Sequence, residues 1–184
     1  MKTAIALLIT CFAHTLASAD ELTISAKEPV IVVTPSQWKS TMEKSPGRAF
    51  PFETCRIAAP AGRNAVCLLS IYDKGKEAFT DPKFLKELLR GDSRPYVGSP
   101  EDLRKLEFKE AKIDGGLAFY ADFVDPDLVG KPVKLGTYKT ATPVILGLGS
   151  KYLIKVTVLC DEVDSADYRD LMKIVQSIKI KKEV

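Results

Sequence analysis

The chain has 184 residues, 27 Lys and Arg against 24 Asp and Glu for a formal charge of +3, and 46% hydrophobic residues. That length suits one domain able to bury about 70% of its unfolded surface, and no cluster of Lys and Arg with interleaved aromatics provides a nucleic-acid footprint. Its one histidine, His14, falls within the first 19 residues; without it a Ser-His-Asp or Cys-His nucleophile and the usual imidazole zinc ligands cannot be assembled.

Residues 1–19, MKTAIALLITCFAHTLASA, carry Lys2 as a charged start, an apolar run over residues 4–13, and Ala17-Ser18-Ala19 as a small-residue cleavage site. This is the three-part pattern of a secretory signal peptide, and the run is shorter than the ~20 apolar residues that span a bilayer. Cys11 follows Thr10 and lies inside the apolar run, so it does not fit a lipid-anchor site. The expectation is cleavage after Ala19, a periplasmic or secreted location, and a single domain over residues 20–184. Removing the leader takes away Lys2, Cys11 and His14 and leaves 26 basic against 24 acidic residues, a charge of +2. No later segment reads as a membrane span. The longest candidate, PVILGLGSKYLIKVTVLC, is interrupted by two glycines and two lysines.

Residues 20–28 are polar and read as loose chain. Val30-Ile31-Val32-Val33 is a β-branched run closed by Thr34-Pro35. Ser36 is placed to cap a brief helical turn carrying Trp38 and Met42, ended by Ser45-Pro46-Gly47; Trp38 reads as a core anchor, with a ligand-stacking platform as the alternative. Residues 52–57 and 65–72 then read as the strands of a hairpin turning at Pro60–Asn64. TDPKFLKELLRG has helix punctuation: Asp81 as cap, Pro82 at the first helical position, Gly91 past the end, and an apolar stripe of Phe84, Leu85, Leu88 and Leu89. Ser99-Pro100-Glu101-Asp102 resembles a capping box for a second short helix with Leu103 and Leu106 inward.

In KEAKIDGGLAFYADF, Asp114-Gly115 is a two-residue hairpin pair. Leu117, Phe119, Ala121 and Phe123 alternate with Ala118, Tyr120 and Asp122, the period of a half-buried strand. Residues 124–137 read as a loop. Thr140–Leu148 and Tyr152–Cys160 form a further hairpin, and Ser165 caps a final helix with Tyr168, Leu171, Met172, Val175 and Ile178 on one face. Five or six antiparallel strands with a mid-chain and a C-terminal helix predict an α+β sandwich.

Few residues carry chemistry. Gly91-Asp92-Ser93 resembles the nucleophile block of GDSL esterases but lacks the partner histidine, and a helix-ending turn accounts for it. Gly147-Leu148-Gly149-Ser150-Lys151 lacks phosphate-loop spacing and joins two strands, so it reads as a hairpin turn. Glu107, Glu110 and Asp114 have no spacing that specifies a glycosidase pair. Asp122, Asp125 and Asp127, followed by Gly130, could offer oxygens to Ca²⁺, although the pattern is not that of an EF-hand loop.

With the leader removed, three thiols remain: Cys55, Cys67 and Cys160. Eleven residues separate the first two, unlike the C-x-x-C of thioredoxin-type chemistry. A hairpin centred on Ala61 sets Cys55 opposite Cys67, about 4.5–5.5 Å apart, within disulfide reach, and an oxidising compartment favours the bond. Closing that loop would contribute roughly 2.5–3 kcal/mol on a chain-entropy basis. Two buried free thiols, or a functional thiol, are the alternatives. Cys160 reads as a buried small hydrophobe.

The C-terminal KYLIKVTVLCDEVDSADYRDLMKIVQSIKI is a strand, a short polar break, a helix and a strand-like tail. It resembles the closing segment of PsbP-like domains, a superfamily that includes the extrinsic photosystem II protein, a yeast Ran-binding nuclear import factor and the bacterial envelope protein DcrB. VTPSQW resembles the P-x-x-W opening of the same domains, and the order of elements is similar over most of residues 29–181. The stretch 36–50 departs from their direct passage into the next strand. The resemblance implies an α/β/α sandwich around a central antiparallel sheet, used mostly for binding or assembly rather than catalysis; with the five or six strands read along the chain, that is the expected fold, and no cofactor is expected. It carries over no binding residue.

The sequence therefore points to an exported non-catalytic module acting on another envelope protein, with the loops at 91–100 and 124–139 as contact surfaces. A small-ligand or Ca²⁺-binding protein using the acidic loop 122–130 is the alternative. A thiol or hydrolytic enzyme, dependent on Cys160 or Ser93, is the third reading.

Overall fold

A computed structural model describes residues 19–24, 29–44, 53–72 and 77–181. The leader up to Ser18, the Ser45-Pro46-Gly47 turn, Phe52 and Lys182 lie outside them. In chain order the strands are β1 (Ala19–Thr23), β2 (Val30–Pro35), β3 (Lys39–Lys44), β4 (Glu53–Ala58) and β5 (Val66–Tyr72); then come helices α1 (Pro82–Asp92) and α2 (Pro100–Arg104). Strands β6 (Lys109–Ala111), β7 (Gly116–Tyr120), β8 (Phe123–Val124), β9 (Thr140–Leu148) and β10 (Tyr152–Cys160) follow, with helix α3 (Ala166–Gln176) and β11 (Lys179–Ile180) closing the described chain.

These strands form two antiparallel sheets. The larger has eight strands in the order β3-β4-β5-β10-β9-β7-β6, with β8 also paired to β9; the smaller has the order β1-β2-β11. The expected α/β/α sandwich with a five- or six-stranded sheet is therefore corrected: the fold is mostly β, with 41% of the described residues in strands and 24% in helices. The additional strands are short or polar. Asp20–Thr23, expected as loose chain, and Ala19, expected as the end of the leader, are held against β2 with Ala19 opposite Pro35. KSTMEK, expected as a helical turn, instead pairs with β4, so Trp38 is buried at 6% exposure while Met42 stands 48% exposed on the strand. Neighbouring backbone, rather than their own periodicity, makes these segments strands.

The central hairpin explains the layering. PVILGL and YLIKVTVLC are rich in β-branched and aliphatic residues, and β9 and β10 are buried along most of their length. On the inner face, Ile57, Leu69, Val144, Leu146, Ile154 and Val156 pack with Val30 and Val32 of β2 and with Leu171, Ile174, Val175 and Ile178. On the outer face, Phe119, Ile145 and Leu153 meet Phe79, Leu85 and Leu89. Each fully buried Leu or Ile contributes about 1.5–3 kcal/mol from apolar burial. Because α1 covers one half of the outer face, Phe119 is buried along with Ala118, which corrects the half-buried strand expected there.

The helices begin where the sequence says. Asp81 caps α1 by accepting from the Lys83 amide, Ser99 caps α2 from Asp102, and Ser165 caps α3 from Tyr168. Each satisfies an amide that the first helical turn leaves without an intrahelical partner. Gly91 lies within α1 rather than beyond it, and Ser93 closes that helix.

Candidate functional site

Helix α1 covers the β7–β9 end of the outer sheet face, and beyond it the chain turns sharply. Ser93 is fully buried, and its hydroxyl donates to the Leu89 carbonyl at 2.8 Å. That position anchors the helix end; the side chain faces no open space as a nucleophile would. A single turn of 3₁₀ helix, Arg94–Tyr96, then swings the Tyr96 ring over Phe123 of β8, stacked with centroids 5.2 Å apart. Offset aromatic pairs of this kind contribute about 0.5–1.5 kcal/mol beyond their area, so the stack joins the loop after α1 to the strand leading into residues 124–139.

Two grooves share Pro95 and Tyr96. One, about 380 Å³, is lined by Tyr96, Phe123, Val124, Tyr138 and Leu159. The other, about 420 Å³, opens over the uncovered half of the sheet, where Leu68, Thr157 and the Asp92–Lys155 ion pair face outward; that pair is 2.8 Å apart. Tyr96 and Val124, which line the first groove, are 39% and 52% exposed, and Val129 and Leu135, further along the second loop, are 61% and 68% exposed. Burial pushes the Tyr96 hydroxyl pKa above its ordinary value, with the Asp92 charge adding to the shift, so it stays protonated as a hydrogen-bond donor.

The second loop is fastened from below. Asn64, in the turn between β4 and β5, donates from Nδ2 to the Thr137 carbonyl and to Asp161 Oδ1, both at 2.7 Å, and accepts from the Gly136 amide at 2.9 Å. Nothing in the local sequence of Asn64 signals this role, because its partners lie 72 and more residues away.

The three acidic candidates are not gathered around a common point. Asp122 is spent internally: Oδ1 accepts from Thr142 at 2.6 Å and from Tyr168 at 2.8 Å, and Oδ2 accepts from Lys109 at 2.8 Å. Asp125 accepts from the Asp127 amide at 2.9 Å, capping the turn Pro126–Leu128, and Asp127 is exposed. Among the described residues no group of three or more His, Cys, Asp or Glu is placed to hold a metal ion. Trp38 is a core residue, with the Arg63 guanidinium 5.4 Å from its ring centroid. Arg63 in turn pairs with Asp167 and Asp170 of α3.

The cysteines are also placed differently from expectation. The β4–β5 register sets Cys55 opposite Leu69 and Cys67 opposite Ile57, so the hairpin is centred on Gly62 rather than Ala61. A one-residue shift of the centre moves the pairing by two residues, leaving Cys55 and Cys67 as diagonal neighbours, ~7–8 Å apart against the ~4.4–6.8 Å a disulfide spans between Cα atoms. Cys55, Cys67 and Cys160 are free thiols and buried. Burial pushes the Cys55 pKa up to about 11 and raises those of Cys67 and Cys160, which suppresses the reactive thiolate. Titration with a thiol reagent should find these three groups silent in the native protein and all three reactive after denaturation without reductant. A single thiol under denaturing conditions would instead establish a Cys55–Cys67 bond and a different register.

No family model matches the chain, and no curated protein matches it in sequence.

Proposed function

We propose that the chain is a non-catalytic binding module of the cell envelope, which docks a protein partner on the surface built by the loops at 91–100 and 124–139. One observation carries this reading. Tyr96 from the first loop and Val124 from the second are both exposed large hydrophobic side chains, and both line the groove of about 380 Å³ where the loops meet. Exposed apolar groups lining a groove mark interaction sites, and tyrosine is enriched among the residues that dominate association energy.

Two features of the sequence agree with it. The leader pattern in residues 1–19 supports export to the periplasm or beyond. The resemblance of residues 151–180 to the close of PsbP-like domains supports a role in binding or assembly.

The test compares the wild-type chain with a Tyr96→Ala/Val124→Asp variant as baits in native envelope extracts. Loss of the Tyr96–Phe123 stack should cost the variant about 0.5–1.5 kcal/mol, so the two baits are compared at a temperature where thermal melts show both fully folded. A stoichiometric partner should co-purify with the wild type and fall at least tenfold with the variant, as expected when an anchor residue is lost. Equal recovery on both baits, or no partner on either, sinks the proposal.

A further inference from the structure

Residues 128–139, LVGKPVKLGTYK, contain three lysines and no acidic residue, and fold as two successive tight turns. In the first, the Lys131 amide donates to the Leu128 carbonyl at 3.2 Å. Val129 has φ −58 and ψ 129, and Gly130 follows at φ +71. In the second, the Thr137 amide donates to the Lys134 carbonyl at 2.9 Å. There Gly136 is at φ +91, while Leu135 is absent from the positive-φ residues. Both are type II geometry, which requires positive φ at the third residue and so suits glycine. Each turn thus sets an aliphatic side chain at its corner.

Nothing in the turn chemistry requires this, since the corner favours proline. Val129 and Leu135 are the two most exposed large hydrophobic residues among those described. The Asn64 hydrogen bonds to Gly136 and Thr137 present the second turn in a fixed pose. Among the described residues the ammonium groups of Lys131, Lys134 and Lys139 pair with no carboxylate.

We infer that this double turn rests on an anionic lipid surface, with Val129 and Leu135 dipping into the headgroup region and the three lysines over the phosphates. Charge complementarity favours lipid: unpaired lysines beside aliphatic tips are the composition of interfacial anchors. Protein interfaces are instead enriched in aromatic residues and arginine and depleted of lysine, a composition closer to that around Tyr96 and Arg94. The inference goes beyond the proposed partner site, because the lipid contact uses the turn tips and leaves the Tyr96–Phe123 groove free.

The experiment uses the full chain carrying Leu135→Trp, mixed with vesicles of phosphatidylethanolamine and phosphatidylglycerol (3:1) or of phosphatidylcholine alone. The native Trp38 is buried and supplies a constant background, measured on the unsubstituted chain. With the anionic vesicles the new indole should shift to the blue and be quenched by brominated phosphatidylglycerol; with the neutral vesicles it should do neither. Adding Lys131→Ala, Lys134→Ala and Lys139→Ala should weaken that response by about fivefold per lysine, roughly a hundredfold together, and raising the salt should weaken it further. The readout reports the tip itself, so binding through residues 1–19 alone gives sedimentation with vesicles and no spectral change, and that result overturns the inference. It is equally overturned if the lysine substitutions leave the vesicle response intact but abolish capture of an acidic protein.

Discussion

Gly147→Ala is expected to destabilise the fold by about 3 kcal/mol, the upper range for forcing extra volume into a packed interior. A methyl group built at Gly147 meets the Phe79 carbonyl oxygen at 2.0 Å, its carbon at 3.0 Å and a Leu85 methyl at 3.4 Å. The nearest obstacle is backbone, which cannot rotate aside. Relief requires moving the Glu77–Thr80 turn, and with it Phe79 and Leu85, two members of the cluster that seals the outer sheet face. For a domain of this size the melting temperature should fall by roughly 6–12 °C, with an unchanged urea m-value if the native contacts reform around the shift. A loss below about 1 kcal/mol would show that the turn over Gly147 is not closely packed. Gly91→Ala is the control: it lies within α1 with nothing within 4 Å, and should stabilise by about 0.5 kcal/mol through helix propensity and reduced unfolded-state freedom.

That contrast shows what the sequence discloses and what it withholds. Capping chemistry is local: Asp81-Pro82, Ser99 and Ser165 each bond an amide two or three residues on, and each helix start was legible from a few consecutive residues. The Thr140–Leu148 and Tyr152–Cys160 hairpin was legible too, because its length, β-branching and glycine turn agree. The second sheet was legible only in part: the Ser-Ile-Lys-Ile tail and the Val30–Val33 run read as strand-like, but the pairing of Lys179–Ile180 with Ile31 and Val30 is a contact spanning nearly the whole chain. Similarly, KSTMEK has no strand alternation and takes its form from β4.

The cysteine register failed for a subtler reason. The turn residues Pro60–Asn64 admit centres on Ala61 or Gly62, and the positive φ of Gly62, +89, falls at the actual centre. Of the surface, the two loops were legible as loops. That they meet through Tyr96 and Phe123, and that Asn64 fastens one of them, follows only from tertiary placement. One signal does stand in the sequence: Val124, Val129 and Leu135 are aliphatic residues in a Gly/Pro loop, and all three are exposed, where no core demands them.

Replacing Asp122 is the other change with a large expected effect, and its sign depends on pH. Its side chain is 11% exposed and bridges three elements: Thr142 of β9, Tyr168 of α3 and Lys109 of β6. Burial by itself would raise the carboxyl pKa; the hydrogen bonds from Lys109, Thr142 and Tyr168, with the Lys109 charge, outweigh it and hold the pKa below its ordinary 3.8. A carboxylate with a depressed folded pKa contributes stability that is fully present above its unfolded pKa and lost as pH falls through the folded value. Asp122→Leu at neutral pH should cost about 3 kcal/mol, because it strands the hydroxyls of Tyr168 and Thr142 in a nearly closed space. Asp122→Asn keeps an acceptor for both and loses the charge together with the oxygen that accepts from Lys109, so about 1–2 kcal/mol is expected. Urea unfolding followed from about pH 7 to about pH 2.5 separates the contributions. The gap between wild type and Asp122→Asn should close as the wild-type carboxyl becomes protonated, whereas the cost of Asp122→Leu should persist. A gap that stays constant to the acid end would mean that the charge of Asp122 is not what stabilises the network. Since Asp122 immediately precedes Phe123 and Val124, the same network fixes the floor of the groove beneath Tyr96. Asp122→Asn should therefore weaken partner capture at neutral pH although the residue itself touches no partner.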